Sequence, residues 1–186
     1  MSKTSGDWSI RVATLGELPR LVEIELESDS IFAEVGIGPF QYDCSAAQLA
    51  AAAIVLVAGK APVGFVSVEV VDDAAHIWQL SVLPSMQRQG IGRALVAAVC
   101  DWAAAEGYIA VTLTTFRDVP WNAPFYEKLG FVELRELTPS LADIRRRERE
   151  VGDDALGARI AMRLELCRRG NAAADPRPAR RGDTPA

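Results

Sequence analysis

Residues 82–94 read Val-Leu-Pro-Ser-Met-Gln-Arg-Gln-Gly-Ile-Gly-Arg-Ala, and this stretch decides which fold we expect. Residues 76–82 alternate in polarity and predict a strand, whereas the apolar residues that follow the stretch repeat at helical spacing. Gln87, Gly90 and Gly92 give the spacing Q-x-x-G-x-G at the turn between the two. Glycine permits positive φ and lets a ligand approach the main chain, and the first turn of a helix offers unpaired N–H groups. The stretch therefore predicts a phosphate-binding loop.

Arg88 and Arg93 add positive charge to this loop, which favours a pyrophosphate as its ligand. Two other phosphate-binding motifs fit less well. A dinucleotide fingerprint needs a third glycine where Leu95 stands, and a Walker loop needs Ser or Thr after Gly-Lys, whereas alanine follows the Gly-Lys pair at residues 59–60. A surface turn whose glycines only cap secondary structure is the alternative at this point.

The composition predicts a soluble protein of the cytoplasm. Of the 186 residues, 49% are hydrophobic and 24% are charged, which is typical of a globular domain. The longest apolar stretch, residues 49–58, is too short to span a bilayer, and the N-terminus lacks the apolar segment of a signal peptide. Three isolated cysteines, Cys44, Cys100 and Cys167, indicate reduced thiols and no metal site. No membrane association is expected.

The net charge of −5 is unevenly distributed. Residues 168–186 hold five arginines and two aspartates, so the preceding residues are strongly acidic. An acidic body argues against a nucleic-acid partner and is compatible with a cationic substrate. The tail offers nothing to pack, so we expect a single domain at residues 1–167 and a disordered Arg-, Pro- and Ala-rich tail at 168–186.

Short apolar or alternating runs predict about seven strands, at residues 9–14, 54–58, 63–71, 76–82, 109–115, 131–137 and 158–167. The three runs within 54–82 have short connections and predict an antiparallel meander. The helix after Gly90 links 76–82 to 109–115 and predicts a parallel, right-handed crossover. The fold class is α/β (α+β), with a mixed central sheet flanked by about four helices. The charged stretch 138–150 is expected to be partly helical.

Thr14 predicts the start of the first helix, whose buried stripe we expect at Leu18, Leu21 and Val22. Glu25 falls on the same face, four residues after Leu21. It lies either at a frayed, partly exposed edge or with its carboxylate directed into a cleft.

A second cluster, residues 120–131, reads Pro-Trp-Asn-Ala-Pro-Phe-Tyr-Glu-Lys-Leu-Gly-Phe. Asn122 begins a predicted short helix, and Tyr126 lies one turn along the same face. The pattern Q-x-x-G-x-G after a strand, followed by N-x-x-x-Y-x-x-x-G-F, resembles the GCN5-related N-acetyltransferase (GNAT) superfamily. The resemblance covers about residues 10–166. It specifies the superfamily and says little about the acyl acceptor.

The resemblance implies that main-chain N–H groups in residues 87–92 hold the pyrophosphate of acetyl-CoA. A splay between strands 76–82 and 109–115 would admit the pantetheine arm, which would pair with Leu80 and Val82. The Val82 amide would also polarise the thioester carbonyl. The cofactor-binding residues so implied are Leu80, Val82, Gln87, Arg88, Gln89, Gly90, Ile91, Gly92, Arg93 and Asn122.

The resemblance also suggests catalytic roles. Tyr126 would lie near the cofactor sulfur and protonate the departing thiolate, unless it only packs. Where several family members carry a glutamate, this chain has His76, which titrates near neutrality and could serve as the base. Its alternative is an inert position near solvent. Trp78 and Leu80 are expected on the same strand face. Glu25 is the rival base or amine anchor, and a water path stays open.

The predicted function is an acetyl-CoA-dependent N-acetyltransferase that acts on a primary amine of a small molecule or peptide by direct attack in a ternary complex. The aromatic residues expected at the acceptor pocket are Phe32, Phe40, Tyr42, Trp78 and Trp121. Family members often form homodimers, which the sequence neither requires nor excludes. The alternative is a non-catalytic acyl-CoA-binding sensor or regulatory module, which would need neither Tyr126 nor a base.

Overall fold

The polypeptide forms one sheet whose strand order departs from chain order only at its far end. The structure is a computed structural model that describes residues 8–38, 40 and 44–166. Within them the strands are β1 Ile10–Val12, β2 Ile54–Ala58, β3 Gly64–Val71, β4 Ala74–Val82, β5 Ala110–Phe116, β6 Val132–Glu133 and β7 Arg159–Glu165. Their order is β1-β2-β3-β4-β5-β7-β6. Tyr42, Cys167 and the 168–186 tail lie outside the described residues.

Helices connect and cover the strands. The described residues contain six α-helices, α1 Leu18–Asp29, α2 Ala46–Ala51, α3 Ile91–Glu106, α4 Ala123–Glu127, α5 Pro139–Glu150 and α6 Asp153–Leu156. Short 3₁₀ helices lie at Leu15–Glu17, Ser30–Val35 and Pro84–Met86. None of these helices is both long and apolar enough to cross a membrane.

The predicted meander and crossover are confirmed. Strands β1 to β4 pair antiparallel in sequence order, and β4 pairs with β5 in parallel through α3. Helix α3 forms where its apolar residues recur every three or four positions, and Leu95, Val99 and Ala103 are fully buried. Gly107 ends the helix at φ +90°, a left-handed conformation that glycine adopts without strain.

Two hydrophobic clusters lie on opposite faces of the sheet. The larger one packs α3 against Val66, Val68 and Leu113, whereas the smaller one packs α1 and α2 against Val57 and Phe65. Because successive side chains of a strand point to opposite faces, the face that carries Phe65 also carries Ser67 and Glu69. Helices α1 and α2 lie on this second face, so Ser67 and Glu69 are on the same side of the sheet as α1.

Several predicted boundaries are wrong. Six α-helices form instead of about four, and the strand predicted at 131–137 shrinks to β6, Val132–Glu133. The stretch expected to be partly helical forms α5, Pro139–Glu150, which buries the apolar Leu141 and the ion-paired Arg145. On α1 the buried stripe is Leu18, Leu21, Ile24, Glu25 and Ser28, so Val22 is only half-buried.

Candidate active site

Strands β4 and β5 separate partway along their length. They pair only over Ala74–Ile77 and Ala110–Leu113, yet β4 continues to Val82 and β5 to Phe116. Their outer neighbours stay paired to the end, with Gly64 opposite Val82 and Arg159 opposite Phe116. A wedge therefore opens beyond Ile77 and Leu113, which we call the fork.

A β-bulge at Trp78 sets the side-chain directions at the fork. Val68 of β3 pairs with Ile77 of β4, and the preceding residue, Ser67, pairs with Gln79. Trp78 of β4 therefore has no partner in the register and is the bulged residue. Ile77 and Leu80 then share one face, and His76 and Gln79 share the other. The expectation that His76, Trp78 and Leu80 lie on one face is wrong, since the bulge shifts the alternation by one residue.

The main chain of β4 faces the fork at the two residues predicted to bind the cofactor. The Leu83 N–H donates to the Val63 carbonyl at 3.0 Å, so Leu83 bonds toward β3. Main-chain groups alternate along an antiparallel strand, so Ser81 also bonds toward β3. Leu80 and Val82 therefore direct their N–H and C=O groups into the fork.

The phosphate-binding loop, residues 87–93, has the backbone that an anion site needs. Arg88 adopts φ +59° and Gly90 φ +83°, so the chain turns sharply before α3 begins at Ile91. Such turns converge N–H groups, and the helix N-terminus adds positive potential. A Cβ on Gly92 would approach the Phe125 ring to 3.3 Å, so glycine there lets α3 and α4 pack closely.

Gln87 and Gln89 brace this loop. The Gln87 amide donates to the Val82 carbonyl at 3.4 Å, and the Trp8 indole donates to the Gln89 carbonyl at 3.0 Å. Gln87 lines the cavity described next, as do most of the loop residues, but Gln89 does not.

A cavity of about 960 Å³ runs from the phosphate-binding loop through the fork to the α1 side of the sheet. Arg88, Arg93 and Lys128 line its loop end. We call its other end the acidic chamber, defined by the lining residues Glu25, Asp29, Glu69, Thr114, Glu148 and Arg159.

Asn122 and Tyr126 line the cavity next to the fork. The Asn122 amide donates to the Thr115 hydroxyl at 2.8 Å, which orients it at the end of β5. Tyr126 is buried between Phe125 and Phe131, with ring centroids 5.0 and 5.5 Å away. Burial raises the pKa of this phenol well above its ordinary value, and the nearby Arg159 charge opposes the shift only partly. Tyr126 is thus a neutral hydroxyl at the cavity wall.

His76 lies beneath the cavity and does not line it. Only 1% of the residue is exposed, and its Nδ1 lies 2.9 Å from the Thr112 hydroxyl. Burial lowers the pKa of His76 to about 4, although the Glu148 carboxylate pulls it upward. The alternative that placed His76 near solvent is wrong, because the residue is buried. Its role as the base stays a prediction, which the burial of the imidazole disfavours.

Glu25 points from α1 into the acidic chamber, in agreement with its position on the apolar face. It is 8% exposed and lines the cavity beside Cys44. Burial raises the pKa of the Cys44 thiol to about 12, and the neighbouring Glu25 carboxylate adds to the shift. The frayed-edge alternative for Glu25 is therefore wrong.

Helix α5 brings to the chamber a hydrogen-bonded network that was not predicted from the sequence. Glu148 accepts hydrogen bonds from the Thr114 hydroxyl, the Arg145 guanidinium and Arg159 Nη2, the last at 2.8 Å. Arg145, which is 5% exposed, also donates to Asp154 at 2.7 Å. A helical spacing of Leu141, Arg145 and Glu148 was the available signal, but a charged stripe ordinarily indicates a solvated face.

The chain matches the model of the acetyltransferase (GNAT) family over residues 18–131. This range contains both the phosphate-binding loop and the Asn122–Tyr126 helix, and it covers more than half of the sequence. The chain belongs to the GNAT family.

Solved structures of similar fold include other acetyltransferases. The ribosomal-protein-S18-alanine N-acetyltransferase of Escherichia coli is 21% identical with a TM-score of 0.63, over 90% of this chain and 99% of that one. PaiA N-acetyltransferase of Thermoplasma acidophilum, in complex with coenzyme A, is 17% identical with a TM-score of 0.64, over 86% and 99%. N-acetylglutamate synthase of Neisseria gonorrhoeae, complexed with coenzyme A and N-acetyl-glutamate, is 20% identical with a TM-score of 0.65, over 87% and 35%. At these sequence identities, the similarity to the solved structures shows that the fold is shared.

Aromatic rings close one side of the cavity in this GNAT protein. Phe32 lies 5.3 Å from Phe40, 5.9 Å from Phe116 and 5.6 Å from Trp121, measured between ring centroids. Trp78, placed by the bulge, also lines the cavity and is 47% exposed. Four of the five aromatic residues predicted for the pocket thus lie there, and Tyr42 is the one outside the described residues.

Proposed function

We propose that this GNAT-family protein is an acetyl-CoA-dependent N-acetyltransferase that acts on a primary amine of a small molecule or peptide. The observation that carries the proposal is one continuous cavity with three cationic side chains at one end, four carboxylates and two guanidinium groups at the other, and the fork between them. That distribution suits a phosphate-bearing thioester on one side and an ammonium-bearing acceptor on the other.

The loop end supports the choice of an acyl-CoA. The turn at Arg88 and Gly90 gathers main-chain N–H donors, and the lining cations Arg88, Arg93 and Lys128 lie around them. Leu80 and Val82 direct main-chain groups into the fork, where the Val82 carbonyl already accepts from the Gln87 amide. The other groups offer the hydrogen bonds that an extended amide-containing arm would use, in the manner of an added strand. Asn122 stands at the opposite wall of the fork.

The chamber end supports the choice of an amine acceptor. Four carboxylates, Glu25, Asp29, Glu69 and Glu148, line it together with the Arg159 guanidinium, and Arg147 of α5 also lines the cavity. A cationic amine is attracted to such an excess of negative charge. It must lose a proton before it can attack, and either Glu25 or water would receive that proton.

The reaction proposed is a direct transfer. The neutral amine nitrogen attacks the thioester carbonyl carbon, and the Val82 N–H stabilises the oxyanion. The nitrogen then loses its extra proton to Glu25 or water, and collapse breaks the carbon–sulfur bond. The thiolate then takes the proton of the Tyr126 hydroxyl, which bulk solvent restores. An acyl-cysteine route is disfavoured, because burial raises the pKa of Cys44 to about 12 and that of Cys100 to about 11.

The experiment that tests the proposal is thiol release from acetyl-CoA with a panel of amino acids, diamines, aminoglycosides and peptides. Binding of coenzyme A is measured first, by thermal shift. Stabilisation together with release for one amine class supports the enzyme. Stabilisation without release across the panel favours a non-catalytic acyl-CoA-binding module, and no stabilisation contradicts the assignment of the phosphate-binding loop.

A further inference from the structure

Glu148 lies where β4 and β5 part. Its hydroxyl partner, Thr114, is the first residue of β5 beyond the last β4 pair, Ile77–Leu113. Helix α5 brings the carboxylate there because it is inserted between β6 and β7 and covers the same sheet face as α1. Among the carboxylates that line the chamber, Glu148 accepts a hydrogen bond from a strand of the fork, through the Thr114 hydroxyl.

The position of α5 is fixed at two points. At its start, the Thr138 and Ser140 hydroxyls donate to Asp72, at 2.7 and 2.6 Å, and tie the helix to the β3–β4 turn. In its middle, Arg145 donates to Asp154 at 2.7 Å and to the Arg159 carbonyl at 3.1 Å, which ties the helix to α6 and β7. A side chain on so constrained a helix is held in one place, which is what a substrate-positioning group requires.

Glu148 is also connected to the predicted acid. Arg159, which donates to Glu148 at 2.8 Å, lies close enough to Tyr126 for its charge to act on the phenol. The side chain of Arg159 is 12% exposed and its guanidinium lies over the Phe116 ring, 4.8 Å from the centroid. Thr114, Glu148, Arg159 and Tyr126 all line the cavity.

The carboxylate of Glu148 retains capacity for a ligand. Its three hydrogen bonds from the described residues occupy three of its about four acceptor positions. Its side chain is 13% exposed and lines the cavity, so a group in the chamber can reach it.

We propose that Glu148, held by Thr114, Arg145 and Arg159, is the hydrogen-bond acceptor that receives the ammonium group of the acceptor and places it at the fork. This inference rests on the proposed N-acetyltransferase function and adds to it the residue that selects a cationic acceptor. Glu25, which lines the same chamber, is then the candidate to receive the proton.

The test compares two amines in Glu148→Gln. One is strongly basic and carries a charge at the assay pH, and the other is weakly basic, of similar size and uncharged. Loss of a hydrogen bond to a charged group lowers kcat/KM for the charged amine by about 10- to 100-fold, mostly through KM. The uncharged amine is affected much less, and the KM for acetyl-CoA does not change.

Glu150→Gln is the matched control, because Glu150 lies on the same helix, has a side chain that is 60% exposed and pairs with Arg146. It leaves kinetics with both amines unchanged. Equal losses of kcat/KM for the two amines in Glu148→Gln would overturn the inference and indicate that Glu148 only holds α5 in place. Unchanged kinetics with both amines would overturn it as well. Circular dichroism and coenzyme A binding of the variant separate a folding defect from either result. If the wild-type protein acetylates no amine, the proposed function fails instead.

Discussion

The two ends of the cavity are assembled in different ways. The phosphate-binding loop is a continuous stretch, residues 87–93, whose geometry follows from its own glycines and the start of α3. The acidic chamber draws Glu25 from α1, Glu69 from β3, Thr114 from β5, Glu148 from α5 and Arg159 from β7. A binding site built from main-chain groups can thus be predicted from one short stretch of sequence. A site built from side chains of five separate elements exists only after the sheet and its helices have assembled.

The largest effect is expected between the two ends, at Tyr126. Tyr126→Phe removes the proposed proton donor while keeping the buried ring, so kcat falls by about 100-fold or more and coenzyme A affinity stays near normal. Tyr108→Phe is the control, because that ring packs against Trp102 at 5.6 Å, away from the cavity. Steady-state kinetics and calorimetry measure the two quantities. Unchanged turnover in Tyr126→Phe would show that the tyrosine only packs.

The chamber end alone is tested by Glu25→Gln. Loss of the charge lowers kcat/KM for the amine by about 10- to 100-fold and leaves the KM for acetyl-CoA unchanged. Glu23→Gln, on the same helix with a 64% exposed side chain paired to Arg20, has no effect on either parameter. An altered KM for acetyl-CoA in Glu25→Gln would mean that the two ends are not independent.

The loop end alone is tested by Gly90→Ala. Alanine at φ +83° is strained, so the loop shifts and its N–H groups lose alignment, which weakens coenzyme A binding by about 5- to 10-fold. Gly107→Ala places the same strain, at φ +90°, at the other end of α3. It lowers the melting temperature comparably but leaves coenzyme A affinity unchanged. Equal losses of affinity in both variants would refute a local role for Gly90.

The smallest effect on activity is expected at His76, beneath the chamber. A folded-state pKa of about 4 means that His76 is uncharged at neutral pH, so the acidic limb of the pH–rate profile does not move in His76→Gln. A displaced limb would restore His76 as the base.

The same burial predicts a stability effect of definite sign. The pKa is about 4 in the folded chain against 6.5 for the free side chain, so the unfolded state takes up the proton first. The free energy of unfolding therefore falls by about 3 kcal/mol as the pH drops from 6.5 to 4, and this component is absent in His76→Gln. Urea titrations of both proteins across that range measure the difference. Parallel curves would contradict the buried, neutral histidine.

The sequence by itself determined much of the fold and the cofactor end. Alternating runs placed the strands, the short connections gave the meander, and one helical repeat gave the parallel crossover. These features depend on neighbours within a few residues, and so does the left-handed turn at Gly90. The position of Glu25 on the apolar face of α1 also followed from spacing alone.

Only the tertiary structure decided the rest. The bulge at Trp78 reversed the expected face of Leu80 relative to His76, because register depends on the opposing strand. His76 was expected either as a base or near solvent, and packing buried it against Thr112 instead. Arg159 lies on the predicted last strand and Glu148 in a charged stretch eleven residues earlier, but neither pattern indicated the ion pair that joins them at the chamber. Long-range pairing of charges leaves no periodic signal in a sequence, so the acidic chamber could be identified only in the tertiary structure.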